Sequence, residues 1–167
     1  MSQTEYHNLD ETRKHLVQQI NALTNEEFNR NPSPEMWSIA QVCHHLVLVE
    51  QATIKAIEWG LTQNNNVNLN RKKVDLILDR TKKIQAPKIV EPASEPIDVG
   101  QIMDLLSNSR QKLKTLLSFI EDKFILTKKS VKHPAFGELP LDQWIELIYL
   151  HEQRHIEQIK EIKLQKR

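Results

Sequence analysis

Apolar residues recur along this chain at spacings of three and four, and strand-type alternation is nearly absent. Leu9, Leu16, Val17, Ile20 and Leu23 share one side of a helix expected from about Tyr6 to Leu23. Thr24, followed by Glu26 and Glu27, reads as a cap on a short acidic turn, which Asn31-Pro32-Ser33-Pro34 breaks. A second helix opens at Ser38, with Gln41 as its capping-box partner, and extends to about Trp59, where Gly60 is placed to end it. Asn64, Asn65 and Asn66 read as a loop. A shorter helix is expected from about Arg71 to Gln85, stopped by Pro87, and Pro92 and Pro96 keep the next connection extended. Asp98 caps a long helix to about Ile120 whose apolar positions are Ile102, Leu105, Leu106, Leu113, Leu116 and Leu117. Asp122 to Leu139 reads as a polar, turn-rich connection, and a last helix runs from Leu141 to near Gln165. Four long helices and one short one predict an all-α fold, an antiparallel four-helix bundle with an extra short helix in the middle connection. The whole chain, 1–167, is expected to form one domain.

The apolar face of the last helix, built from Leu141, Trp144, Ile145, Ile148, Ile159 and Ile162, is interrupted by His151 and His155. Residues at i and i+4 leave a helix on the same side, so both imidazoles point where the core should be. An unpaired polar group there costs about 1–3 kcal/mol, and a shared metal ion would satisfy both rings at once. The second helix offers His44 and His45. Its apolar face is set by Ile39, Val42, Leu46, Val49, Thr53 and Ile57. At about 100° per residue, His45 falls at the border of that face and His44 nearly opposite, beside Gln41, Gln51 and Lys55. His45 is the inward candidate, and His44 is expected to be solvated. His45, His151 and His155 are therefore the candidate metal ligands. Three protein ligands with a fourth position left open is the pattern of a reactive site rather than a closed structural one.

Other residues are read more plainly. Cys43 lies about 200° round the helix from His45 and is expected to be a small buried hydrophobe. Glu50 and Glu146 do not align with the histidines and are expected to be surface or rim carboxylates. Gln158, less than a turn beyond His155, is within reach of a ligand's second ring nitrogen. Trp37 and Trp144 read as core residues, His133 as a loop-fixing hydrogen bonder, and His7 and His15 as helix-surface residues.

Charge and composition narrow the function. The formal net charge is +1, so no basic surplus points to nucleic acid, and few aromatics are available to stack on bases. Cys43 is the single cysteine, which excludes an intrachain disulfide and is compatible with a reducing compartment. With no apolar run of about 18–20 residues and no leader-like N-terminus, a cytoplasmic protein acting on a small molecule, away from membranes and nucleic acid, is expected.

The segment Trp37-Ser38-Ile39-Ala40-Gln41-Val42-Cys43-His44-His45-Leu46 resembles the second-helix motif of the DinB-like superfamily. His133-Pro134-Ala135-Phe136-Gly137-Glu138-Leu139, with His151-Glu152-Gln153-Arg154-His155 and Gln158, is similar to that family's closing loop and last helix. The motifs cover a minor part of the chain, whereas the helical layout agrees over nearly all of it. The resemblance implies a bundle holding a divalent metal, zinc or nickel, through His45, His151 and His155, usually as a homodimer. It also implies thiol-dependent S-transfer with bacillithiol or a related low-molecular-weight thiol as co-substrate. Metal-dependent hydrolysis of a small ester or amide, and a non-catalytic metal- or ligand-binding bundle, stay open. The middle of the chain, from about Leu61 to Val99, matches no family motif, and substrate preference is expected to reside there.

Overall fold

A computed structural model describes residues 3–64 and 68–165. Its α-helices are α1 (Gln3–Ile20), α2 (Asn25–Asn29), α3 (Ile39–Thr62), α4 (Val99–Ser118), α5 (Ile125–Lys128) and α6 (Leu141–Leu164). The long helices α1, α3, α4 and α6 form a four-helix bundle in which α6 packs on both α1 and α3, and α3 packs on α4. Their starts follow the sequence signals. Thr24, Ser38 and Asp98 each close a capping box, with Glu27, Gln41 and Gln101 respectively.

The core falls into two apolar clusters. One gathers Leu9, Ile54, Ile57, Leu113, Leu117 and the Leu141–Leu150 part of α6. The other gathers Leu16, Ile20, Val42, Leu46, Ile102, Leu106, Ile156 and Ile159. Each long helix contributes one charged side chain to the layer between them: Arg13 from α1, Glu50 from α3, Arg110 from α4 and Glu152 from α6. Each arginine bridges both glutamates. Arg13 Nη2 lies 2.7 Å from Glu50 and its Nε 2.5 Å from Glu152, while Arg110 Nε lies 2.5 Å from Glu50 and its Nη2 3.1 Å from Glu152. Ser109 donates to Glu50 at 2.6 Å and Thr12 to Glu152 at 2.8 Å. Burial alone would raise the Glu50 carboxyl, but the two guanidiniums overcome it and hold it below the ordinary carboxylate range. Glu50 is 1% exposed, so it is no surface or rim carboxylate as its sequence position suggested.

Four expectations need correction. Helix α3 does not end at Gly60; it runs to Thr62, and Gly60 is buried inside it. A Cβ there would meet Leu141 Cδ2 and Val131 Cγ2 at 2.8 Å each. The glycine lets α3 approach the start of α6 closely and is not a cap. Replacing a helix-interior glycine by alanine ordinarily gains about 1 kcal/mol, but overpacking a filled core costs about 1–3 kcal/mol. Gly60→Ala should therefore lower stability, and urea denaturation showing a gain would count against this packing.

The helix expected over 71–85 is instead a single 3₁₀ turn, Val74–Leu78, and a second 3₁₀ turn follows at Lys88–Val90. The backbone carbonyls that helical turns would use are spent on side chains of α6. Gln143 donates to Lys72 O at 2.9 Å, and Arg154 donates to Ile77 O, Asp79 O and Lys82 O at 2.8, 2.5 and 3.0 Å. Tertiary hydrogen bonds win over local periodicity in this segment. The helices also end differently by up to three residues, α1 starting at Gln3 and stopping at Ile20. Of the expected asparagine loop, Asn65 and Asn66 lie outside the described residues.

The connection before α6 holds α5 and a hairpin, β1 (Ser130–His133) and β2 (Gly137–Pro140), paired antiparallel with Val131 opposite Leu139. Gly137, at φ 69°, supplies the left-handed residue that lets this short loop close. Four-residue strands are too short to display an alternation in sequence.

Candidate metal centre

The capping box at Ser38 starts α3 so that His45, two turns on, turns inward, and it is buried. On α6, His155 is buried and His151 half-buried. The three rings meet edge to face, with centroids 4.4–5.1 Å apart. His151 Nε2 lies 3.1 Å from His155 Nε2 and 3.4 Å from His45 Nε2, and one nitrogen from each ring falls within 4.8 Å of the others.

The opposite ring nitrogens explain that orientation. His45 Nδ1 donates to the carbonyl of Val90 at 2.7 Å, and His155 Nδ1 donates to Gln158 Oε1 at 2.7 Å. With Nδ1 carrying the proton, Nε2 of both rings presents a lone pair to the shared centre. Both face the Nε2 of His151, whose proton a shared cation would displace. The donor set therefore fits a divalent ion: three imidazoles, two of them fixed by a partner on the far nitrogen.

Burial keeps the rings neutral, as ligation requires. It lowers His45, partly offset by the Val90 carbonyl, and lowers His151 well below 6.5, helped by its two neighbouring rings. It takes His155 to about 3. The ring of Trp37 tilts over His45 at 5.1 Å and limits how that imidazole can turn. Trp37 is half-buried, so it borders the site as much as the core.

Cys43 is fully buried and burial pushes its thiol up, so it is inert packing. Glu146 sits at the rim, 2.8 Å from Arg71. Trp144 is core, its Nε1 donating to Val131 O at 3.2 Å. His7 and His15 are exposed. His44 is half-buried rather than solvated, because its Nδ1 accepts the Ala93 amide at 3.1 Å. His133 does fix its loop, accepting the Ala135 amide at 3.1 Å and packing edge-on against Trp144 at 4.6 Å.

Burial lowers His133 to about 4, against 6.5 in an open chain. Between those values the unfolded chain takes up a proton that the folded one refuses, so stability falls as pH drops through that window. Denaturant midpoints should decline from pH 6.5 towards pH 4, and His133→Phe, which keeps the packing and removes one titration, should make the decline shallower, the remainder coming from the buried His45, His151 and His155. An unchanged slope in that variant would refute the assignment.

Sequence reasoning missed two contributors. One is Val90, whose carbonyl orients His45 from a connection with no helical or strand pattern. The other is the Arg13–Glu50–Arg110–Glu152 layer beside the site. Its signal was present: each of the four occupies a position continuing its helix's apolar stripe, as Arg110 does between Leu106 and Leu113.

A four-helix bundle with three imidazoles converging from two facing helices defines a recognisable class of metal-site scaffold. The chain belongs to the DinB superfamily, whose pattern matches residues 8–159. It is 30% identical over 154 residues to the uncharacterised Bacillus subtilis protein YuaE, covering 92% of this chain and 94% of that one. Among solved structures it resembles Bacillus subtilis YfiT, described as a probable metal-dependent hydrolase with an unusual four-helix bundle topology. That match has a TM-score of 0.67 at 18% identity and covers 98% of this chain and 89% of YfiT. It also resembles TT2238, a four-helix bundle protein, with a TM-score of 0.63 at 16% identity over 95% of this chain and 97% of that one. No described helix is long and apolar enough to cross a membrane.

Proposed function

We propose that this bundle is a divalent-metal-dependent enzyme that activates a small thiol for transfer to an electrophile. His45, His151 and His155 would hold the ion. Bound by three neutral donors, such an ion keeps its full charge and favours the ionised form of a thiol or a water molecule. The observation that carries the reading is the convergence of three imidazole nitrogens, with His45 and His155 fixed from behind through Nδ1.

The chain's carboxylates favour the thiol over water. A hydrolase of this kind gains from a carboxylate that takes the proton of the attacking water. Here Glu50 and Glu152 are tied to Arg13 and Arg110, and Asp142 and Glu146 to Arg71. A thiol ionises far more readily than water and asks less of a base. His151, half-buried, is the least covered of the three rings, whereas His45 and His155 are buried. The ion is zinc or nickel in this reading, the protein a cytoplasmic homodimer, and bacillithiol or a similar thiol the co-substrate, as the family resemblance suggests.

The test is conjugation of small thiols to 1-chloro-2,4-dinitrobenzene by protein loaded with zinc or nickel. A rate above buffer is expected, abolished by a chelator and by His151→Ala. Metal-dependent ester cleavage without added thiol would instead support hydrolysis, the reading that the description of YfiT favours. A tightly held ion with neither activity would leave a non-catalytic bundle.

A further inference from the structure

Between Lys72 and Ala93 the chain has little regular structure, and side chains of the bundle hold it instead. At its first end Gln143 accepts the Lys72 amide and donates to the Lys72 carbonyl, each at 2.9 Å. Arg154 donates to the carbonyls of Ile77, Asp79 and Lys82, and Arg80 donates to the Arg154 carbonyl at 3.1 Å. From Lys83 to Ile89 no hydrogen bond joins the segment to a helix among the described residues. Every residue from 81 to 89 except Ala86 is exposed.

The chain then lands on one turn of α3. Val90 packs there, 7% exposed yet in neither apolar cluster, and its carbonyl accepts from His45 Nδ1 at 2.7 Å. Ala93 donates to His44 Nδ1 at 3.1 Å and accepts from Gln41 at 3.5 Å. The adjacent histidines therefore hold opposite tautomers, with Nδ1 of His44 an acceptor and Nδ1 of His45 a donor. One contact of the landing thus depends on the tautomer of a metal ligand.

A neutral imidazole has one proton for two nitrogens. His45 Nε2 lies 3.4 Å from His151 Nε2, and without an ion a proton between them is what makes that approach favourable. His151 supplies it in one arrangement and His45 in the other. When His45 supplies it, its Nδ1 is bare, and a lone pair faces the Val90 carbonyl oxygen across 2.7 Å. That pairing repels and unseats Val90. An ion on Nε2 excludes this tautomer and keeps the proton on Nδ1, where Val90 receives it. The ion selects the seated arrangement from the two.

We propose that residues 83–93 form a strap seated by the ion: occupation of the centre formed by His45, His151 and His155 fixes the Val90 landing, and the seated strap in turn holds the ion. This rests on the metal-site reading above. Linkage makes the two effects equal in free energy, so the strap governs how tightly the ion is kept.

Hydrogen–deuterium exchange of the full chain, treated with chelator and then given zinc alone, reads the strap directly. The Val90, Glu91 and Ala93 amides donate to Pro87 O, Lys88 O and His44 Nδ1. They should exchange about tenfold more slowly with zinc, whereas the Lys72 amide at the Gln143 anchor should change far less. Val90→Gly keeps the carbonyl and removes the side chain that packs on α3. It should weaken zinc binding about tenfold, measured by competition with a chromophoric chelator, with helical circular dichroism unchanged. Zinc that binds the native chain without slowing exchange at 90–93 overturns the inference and leaves the metal centre standing. So does Val90→Gly protein that keeps zinc as tightly as the native chain. A native chain that takes up no zinc removes the centre and its coupling to the strap together.

Discussion

Replacing Arg110 by methionine should destabilise the fold by about 3–5 kcal/mol, the usual cost of stripping one partner from a buried ionic cluster. The substitution leaves Glu50 and Glu152, each buried, with only Arg13 between them. It also frees the Leu9 carbonyl, to which Arg110 donates. A buried carboxylate short of a partner either stays charged at great cost or takes a proton, and both paths weaken the native state. Replacing all four members by apolar residues of similar size should recover most of the loss, since the cluster is neutral overall and its members attract chiefly one another. Equilibrium urea denaturation of the single and quadruple variants decides this. A single variant within about 0.5 kcal/mol of the native protein would show that the four charges do not form the closed arrangement described.

The second large effect concerns the ion. A ligand that binds only the folded state stabilises it by about 4 kcal/mol at a thousandfold excess over its dissociation constant. Adding zinc or nickel to chelator-treated protein should therefore raise the unfolding midpoint strongly, and chelator should reverse it. His151→Ala should abolish the metal-dependent rise while changing the stability of the metal-free protein by less, because the half-buried His151 ring belongs to neither apolar cluster. Thermal denaturation with and without metal measures both terms. A rise that persists in the variant would place the ion elsewhere.

The histidine geometry was legible in the sequence because helical spacing is rigid: once Ser38 and Gln41 fix the start of α3, the direction of His45 follows, and the i, i+4 pair on α6 needs no further information. The apolar stripes of the long helices were legible for the same reason. The middle connection was not. Arg71–Gln85 has a helix-like pattern, but its carbonyls are captured by Arg154 and Gln143, residues some 70 positions away whose reach no local pattern encodes. The hairpin before α6 was hidden by the shortness of its strands. Gly60 was misjudged because a glycine near a helix end looks like a cap, whereas its reason is the side chains of Leu141 and Val131 pressing on it. The charged layer was not legible because charged residues are rarely buried unless paired, and the pairing here joins four different helices. Arg13, Glu50, Arg110 and Glu152 each sit on a core stripe, and two positive with two negative residues is the combination that can be buried together.

Elemental analysis of untagged protein, purified without a nickel column and compared with its His45→Ala counterpart, tests the three-imidazole centre most directly. One divalent ion per native chain is expected, and most of it should be lost from the variant while the helical circular dichroism stays intact. Native protein that takes up no ion even after incubation with zinc or nickel, or a variant that retains it undiminished, would contradict the assignment of His45, His151 and His155 to a common metal.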